Sequence, residues 1–180
     1  YAQVALVPTQ FSADFLNNED NHHAVVEQTL YRTDSLAFNI LNTGQHADLY
    51  VWPETGISYQ LGYSNLGPLL QKVVADWEGA LLTGCKGVTE TADSTDLRTH
   101  TSGVLISPYQ KPAYHHKTIL TPMQEGIPYH ATLAKIPFLS IAEKDPRFIK
   151  AGTMHKPLTL NTAKNGLFRL GVSLCFEQWY

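Results

Sequence analysis

Basic excess, cysteine density and long apolar runs are all missing from this sequence, and each absence closes off a class of function. The 13 Lys and Arg against 16 Asp and Glu give a formal net charge of −3. The cations are scattered, so no basic stripe could track phosphates, and nucleic acid is excluded as a partner. Two cysteines, Cys85 and Cys175, cannot build a disulfide framework. No apolar run approaches the ~18–20 residues of a membrane-spanning helix, and no charged-then-apolar signal segment opens the chain. It begins with Tyr1 rather than Met, which reads as a mature, processed or excised segment. What is there is ordinary globular chemistry: 43% hydrophobic and 16% charged residues over 180 positions, enough for one domain with a real core.

The pattern alternates between strand and helix. Residues 2–8 read as a buried strand ended by Pro8. Residues 21–42 carry Val25, Val26, Leu30, Leu36, Ala37, Ile40 and Leu41 near helical spacing, with Gly44 just beyond. A short β-rich run, 48–52, stops at Pro53. Gly67 and Pro68 open an amphipathic helix presenting Leu69, Leu70, Val73, Val74 and Trp77. A strand over 80–85 follows, with Cys85 in the core, then a polar stretch, 89–99, read as an exposed loop. Residues 102–107 and 113–116 flank a Pro108 to Pro112 turn as a hairpin, and 121–128 read as irregular. A second hairpin joins 156–160 to 167–174 around Asn165-Gly166. This order predicts an α/β layer protein with a mixed sheet, a single domain over 1–180 that is incomplete at its C-terminus.

Three segments put a reactive group at a strand end, where α/β proteins assemble sites from distant sequence. They are Glu54 in Trp52-Pro53-Glu54-Thr55, Lys117 after Tyr114-His115-His116, and Cys175 in Gly171-Val172-Ser173-Leu174-Cys175-Phe176-Glu177. A free thiol, with a pKa near ~8.5, is mostly protonated at neutral pH and needs a base or a nearby cation. Glu54 can take the proton, and Lys117 can hold the thiolate and then an oxyanion. Taken singly, each residue has a blander reading: a solvated loop Glu, a surface Lys, a core Cys. Their order and their shared placement at strand termini favour the joint one.

The same segments, with Lys117-Thr118-Ile119-Leu120-Thr121-Pro122-Met123-Gln124-Glu125-Gly126-Ile127-Pro128, resemble the nitrilase-type carbon–nitrogen hydrolase superfamily. More narrowly they resemble its apolipoprotein N-acyltransferase branch. That branch shows a W-P-E-T segment, a lysine followed by L-V-P-x-x-E and a later proline, and a C-Y-E segment. The opening Val4-Ala5-Leu6-Val7-Pro8-Thr9-Gln10 is similar to the family's first strand. The resemblance implies an α-β-β-α sandwich, with Glu54 as general base, Lys117 as oxyanion and thiolate stabiliser, and Cys175 as acyl-accepting nucleophile. It implies supporting roles for Glu125, Phe176 and Glu177 around the substrate, and no cofactor. Cys175 would take an acyl chain from a phospholipid as a thioester and pass it to the N-terminal amine of a lipoprotein. The implied location is the extracytoplasmic (periplasmic) face of the bacterial inner membrane, with the full-length form membrane-associated. Two departures stand out: Thr121-Pro122-Met123-Gln124 replaces Val-Pro-Phe-Gly, and Phe176 replaces Tyr. The branch's preceding transmembrane bundle, and the strands and pocket loop that follow its cysteine segment, do not occur in these residues.

Two alternatives stand beside this reading. One is a soluble, cytoplasmic amidase or nitrilase using the same trio on a small C–N substrate. The other is a catalytically incompetent fragment serving as a binding module. The eight histidines invite a metal site, but His22-His23 and His115-His116 are adjacent pairs whose side chains diverge on a strand, and no H-E-x-x-H or C-x-x-C accompanies them. No metal is expected. His116 and His130 are the histidines placed nearest Lys117, with structural or solvated roles favoured. Tyr109, Tyr114, Tyr129, Trp179 and Tyr180 read as packing rather than as a lipid-facing surface.

Overall fold

Two apolar layers, one on each face of a five-stranded sheet, organise the structure. The computed structural model of the chain describes residues 1–9, 11–54, 56–57, 66–88, 99–108, 110–122, 124–126, 149–153, 156–162 and 166–179. The sheet runs in the order β1 (Val4–Leu6), β2 (Leu49–Val51), β3 (Ala80–Val88), β4 (His100–Ile106), β5 (Ala113–His116). β1, β2 and β3 pair in parallel, and β4 and β5 are antiparallel additions. The sheet is mixed, as the alternation of elements predicts.

The parallel pairs need crossovers, and helices supply them. After the short α1 (Ala13–Asn17), α2 (His22–Asn42) buries Val25, Val26, Thr29, Thr33 and Ala37, one stripe at helical spacing. The two buried threonines satisfy their hydroxyls on the helix's own carbonyls, Thr29 to Val25 and Thr33 to Thr29, both at 2.7 Å. Thr33 also accepts from Trp52 Nε1 at 2.9 Å, which anchors the chain directly ahead of Glu54. α3 (Leu66–Asp76) buries Leu70 and Val74, and Pro68 sits in its first turn, where a missing N–H costs nothing. These helices cover one face over Val7, Tyr50, Trp52, Leu81, Cys85, Val104 and Ile106.

A two-stranded sheet, β6 (Leu158–Thr162) and β7 (Gly166–Leu170), covers the other face. Its Leu158 and Leu160 pack with Leu49, Ala80 and Leu105. The layering among the described residues is therefore helix, sheet, sheet; a second helical layer, part of the expected sandwich, is not among them.

Two strand expectations need correction. β1 is buried on one face only: Val4 and Leu6 are 52% and 71% exposed, and β1 is an edge strand of the sheet. The strand expected to deliver Cys175 ends at Leu170, and residues 171–174 continue without a ladder into a 3-10 turn, Cys175–Trp179. Val172 and Leu174 still face inward and Gly171 and Ser173 outward, so the alternation of a strand survives its hydrogen bonds. The expected loop at 89–99 (except Thr99), Tyr109, Ile127, Pro128, Tyr129, His130 and Tyr180 lie outside the described residues, as do the side chains of Phe176 and Trp179.

Candidate active site

Glu54 follows β2 in a turn closed by Gly56 N–H donating to the Pro53 carbonyl at 3.0 Å. β3 holds the same carbonyl through the Gly84 N–H at 3.3 Å, and the chain rejoins β3 at Ile57, whose N–H donates to Gly84 at 3.1 Å. The carboxylate is half-buried. Burial pushes its pKa above the ordinary 4.5; the Lys117 charge pulls it back, and Glu125 pushes it up again. Exposed Lys86 pulls it down and Glu177 pushes it up, more weakly.

Lys117 comes directly after β5, and its side chain is completely buried. Its N–H donates to Thr101 and its carbonyl accepts from Gly152, both at 2.8 Å, so both backbone groups are fixed. The ammonium donates to both Glu125 oxygens, at 2.9 and 2.8 Å. Thr121 N–H adds a third hydrogen bond to that carboxylate at 2.7 Å. Burial opposes the Glu125 charge, but Lys117 and Thr121 outweigh it and hold the carboxyl below its ordinary range. A buried ammonium is expensive unless paired this way.

Cys175 is exposed and opens its turn at φ 49, a left-handed conformation that strains any residue bearing a Cβ. Its thiol hydrogen-bonds to neither Glu54 nor Lys117; the connection runs through the backbone. Glu177, two residues on, accepts from Thr118 N–H (2.6 Å), Thr118 Oγ1 (2.9 Å) and Ile119 N–H (3.3 Å) with one oxygen. Its other oxygen accepts from Leu174 N–H at 3.0 Å. This one carboxylate pins the Cys175 turn to the segment following Lys117. Burial again opposes its charge, and the hydrogen bonds from Thr118, Leu174 and Ile119 hold it below the ordinary range. Farther back, Val172 lies over Gly103 of β4, where an added Cβ would stand 2.7 Å from its Cγ1.

The structure therefore groups Glu54, Lys117, Glu125 and Glu177 and fastens the Cys175 turn to them. Among the described residues, no group of three or more His, Cys, Asp or Glu side chains is arranged to hold a metal ion, and no helix is long and apolar enough to cross a membrane. His116 does not join the group. It lies on the helix-facing side, its Nδ1 2.6 Å from Ser102 Oγ and its ring 4.5 Å from that of His100. Tyr114, on the same side, packs against the helix-side core. Sequence reasoning passed over His115, whose Nε2 lies 3.7 Å from a Glu177 oxygen, and Thr118, which binds that residue twice. Strand alternation carried the signal for His115, since it must share a face with Lys117. A separate cleft of about 250 Å³, lined by His46, Asp48, Glu78 and Leu160, lies at the opposite end of β2 and β3.

No protein-family model matches the sequence, and no curated protein matches it. Solved structures resemble its fold. An amidase from Nesterenkonia sp. AN1, in a glutamate-to-glutamine variant with acrylamide added to its active-site cysteine, superposes with TM-score 0.50 at 14% identity, over 91% of this chain and 54% of that one. A glutamate-to-leucine variant of the same amidase, carrying the acetamide moiety of fluoroacetamide on that cysteine, gives 0.49 at 16% identity over 89% and 51%. This amidase is a nitrilase-superfamily protein. The chain spans about half the length of these amidase chains. What the likeness establishes is the fold: a mixed α/β fold of the nitrilase type.

Proposed function

We propose that Glu54, Lys117 and Cys175 are the catalytic unit of a nitrilase-superfamily cysteine enzyme whose particular reaction is N-acyl transfer from phospholipid to a lipoprotein. The observation that carries this is the buried Lys117 ammonium, held by Glu125 beside Glu54 and joined through Thr118 and Glu177 to a strained cysteine turn. Strain and a buried charge both cost stability, and their convergence on one place favours a catalytic role over a packing one. The resemblance of the Glu54, Lys117 and Cys175 segments to the N-acyltransferase branch supports the finer activity.

The chemistry balances in two halves. Glu54 takes the Cys175 proton, and the sulfur attacks the ester carbonyl of the phospholipid. Lys117 stabilises the oxyanion with the ammonium proton not directed at Glu125. The tetrahedral adduct collapses to a thioester, and the departing alcohol of the lysophospholipid recovers the proton from Glu54. The N-terminal amine of the lipoprotein then attacks the thioester, losing a proton to Glu54. An amide forms, and the thiolate leaves and is reprotonated.

The deciding experiment uses the full-length protein, in membranes where it is membrane-bound. Incubation with phospholipid vesicles alone should add one acyl chain to the peptide containing Cys175, read by mass spectrometry and removed by hydroxylamine. Acylation by small amides and not by phospholipid would replace this reading with the amidase. Acylation by neither would leave a binding module.

The raised Glu54 pKa gives a second expected outcome. The base must be ionised, so kcat/KM should fall with acid through a value above the ordinary 4.5. Lys86→Met removes a charge that favours the carboxylate and should move that limb higher still, the more so at low salt. A pH profile of the two proteins at two ionic strengths checks the sign; a limb that moves down contradicts it.

A further inference from the structure

We propose that His115 is a positioning residue for the Cys175 turn, acting through the Glu177 carboxylate. Both side chains are almost fully buried, at 3% and 4% exposure, and His115 Nε2 stands 3.7 Å from Glu177 Oε2. The two carboxylate oxygens serve different parts of the chain. Oε1 takes its three hydrogen bonds from Thr118 and Ile119, whereas Oε2 takes one, from the N–H of Leu174, the residue before Cys175. His115 sits at the Oε2 end. β5 carries it in register with Gly103 of β4, so the ring is mounted on a regular sheet and not on a loop. His115 and Lys117 are two residues apart on one face and meet Glu177 and Glu125, so two basic groups face two carboxylates side by side.

The consequence follows from strain. A residue at φ 49 relaxes unless its surroundings hold it, and here two contacts flank Cys175. The Glu177 N–H donates to the Leu174 carbonyl at 3.1 Å, and the Leu174 N–H donates to Oε2, the one of the two made by a side chain. Three donors fix Oε1, so the remaining freedom of the carboxylate is a swing that moves Oε2. At 3.7 Å the imidazole is too distant for a hydrogen bond in this geometry, but its dipole or charge and its bulk oppose that swing in a buried setting. Substituting the imidazole by an apolar group of similar size keeps the packing and removes the polar restraint.

The test uses the full-length protein with His115→Leu and His115→Gln. Hydrogen–deuterium exchange of the peptide spanning 171–180 should quicken by about tenfold in His115→Leu, with exchange in α2 and β3 unchanged. In His115→Gln, whose amide can offer an N–H toward the carboxylate, it should return most of the way to the wild-type rate. kcat for the reaction at Cys175 should fall about tenfold in His115→Leu with KM little changed, and recover in His115→Gln. Wild-type exchange in His115→Leu, or His115→Gln behaving like His115→Leu, overturns the proposal. Only the kinetic arm rests on Cys175 as nucleophile. The exchange arm, repeated in a Cys175→Ala background, reads the turn alone, so the two readings fail separately.

Discussion

Lys117→Met is expected to cost about 3 kcal/mol of stability and about a thousandfold in turnover, two losses with separate origins. The stability loss comes from Glu125. With the ammonium gone, its carboxylate keeps the Thr121 N–H but loses the cation that donated to both its oxygens. Glu125 is 21% exposed, so some water reaches it, which places the loss at the lower end of what breaking a buried pair costs. The turnover loss comes from removing the donor that would meet the thiolate and the oxyanion. The double variant Lys117→Met/Glu125→Gln separates them. Removing the orphaned charge should restore much of the stability in urea unfolding, while turnover stays at the single-variant level. Lys117→Arg should not rescue either property, because the wider guanidinium cannot fit a site where the lysine is wholly enclosed. Full stability in Lys117→Met would mean that the ion pair is not what holds the 117–125 segment.

How far the sequence reads depends on whether a signal is local. α2 and α3 are legible because periodicity lies within one segment, and Pro68 marks a helix start in place. Both hairpins are legible from turn chemistry, and in the second Gly166 opens β7 opposite Thr162 at φ 84. What escapes is set by partners far away in the chain. Residues 2–8 carry the apolar run of a buried strand, yet β1 lies at the sheet edge, and edge position depends on its pairing with β2, more than forty residues on. Residues 171–174 alternate like a strand because Val172 packs on Gly103 and Leu174 is buried, although no strand among the described residues pairs with them. The site shows the same division. Glu54, Lys117 and Cys175 stand out by segment, but the roles of Glu125 and Glu177 as clamps come from bonds across loops. His115 and His116 look alike in sequence. Which one meets Glu177 depends on which face of β5 carries the second sheet.

Gly84→Ala is the sharpest case of a distant partner, and it should be among the most damaging single substitutions in the chain. Gly84 lies in β3, thirty residues from Glu54, in a strand that tolerates alanine on conformational grounds. Its Cβ would nevertheless overlap the Cα and the backbone carbonyl of Glu54, which are backbone atoms and cannot swing aside as a side chain would. Either β3 shifts within the sheet, breaking its register with Val104 and Gly103, or the turn at Pro53–Gly56 lifts away. The turn is the softer element, since it is held by the Gly56, Gly84 and Thr83 bonds to the Pro53 carbonyl, whereas β3 is paired on both sides. Overpacking of this kind costs about 3 kcal/mol. If Glu54 is the general base proposed above, displacing it by an ångström or so lowers kcat/KM by about a hundredfold. Gly171→Ala supplies the contrast: four residues before Cys175, it has nothing within 4 Å of an added Cβ, so stability should stay within about 0.5 kcal/mol of wild type. Thermal unfolding and kcat/KM of the two variants together decide the matter. If Gly84→Ala behaves like Gly171→Ala, the close approach of β3 does not set the position of Glu54, and the turn must be held from α2 through Trp52 and Thr33 instead.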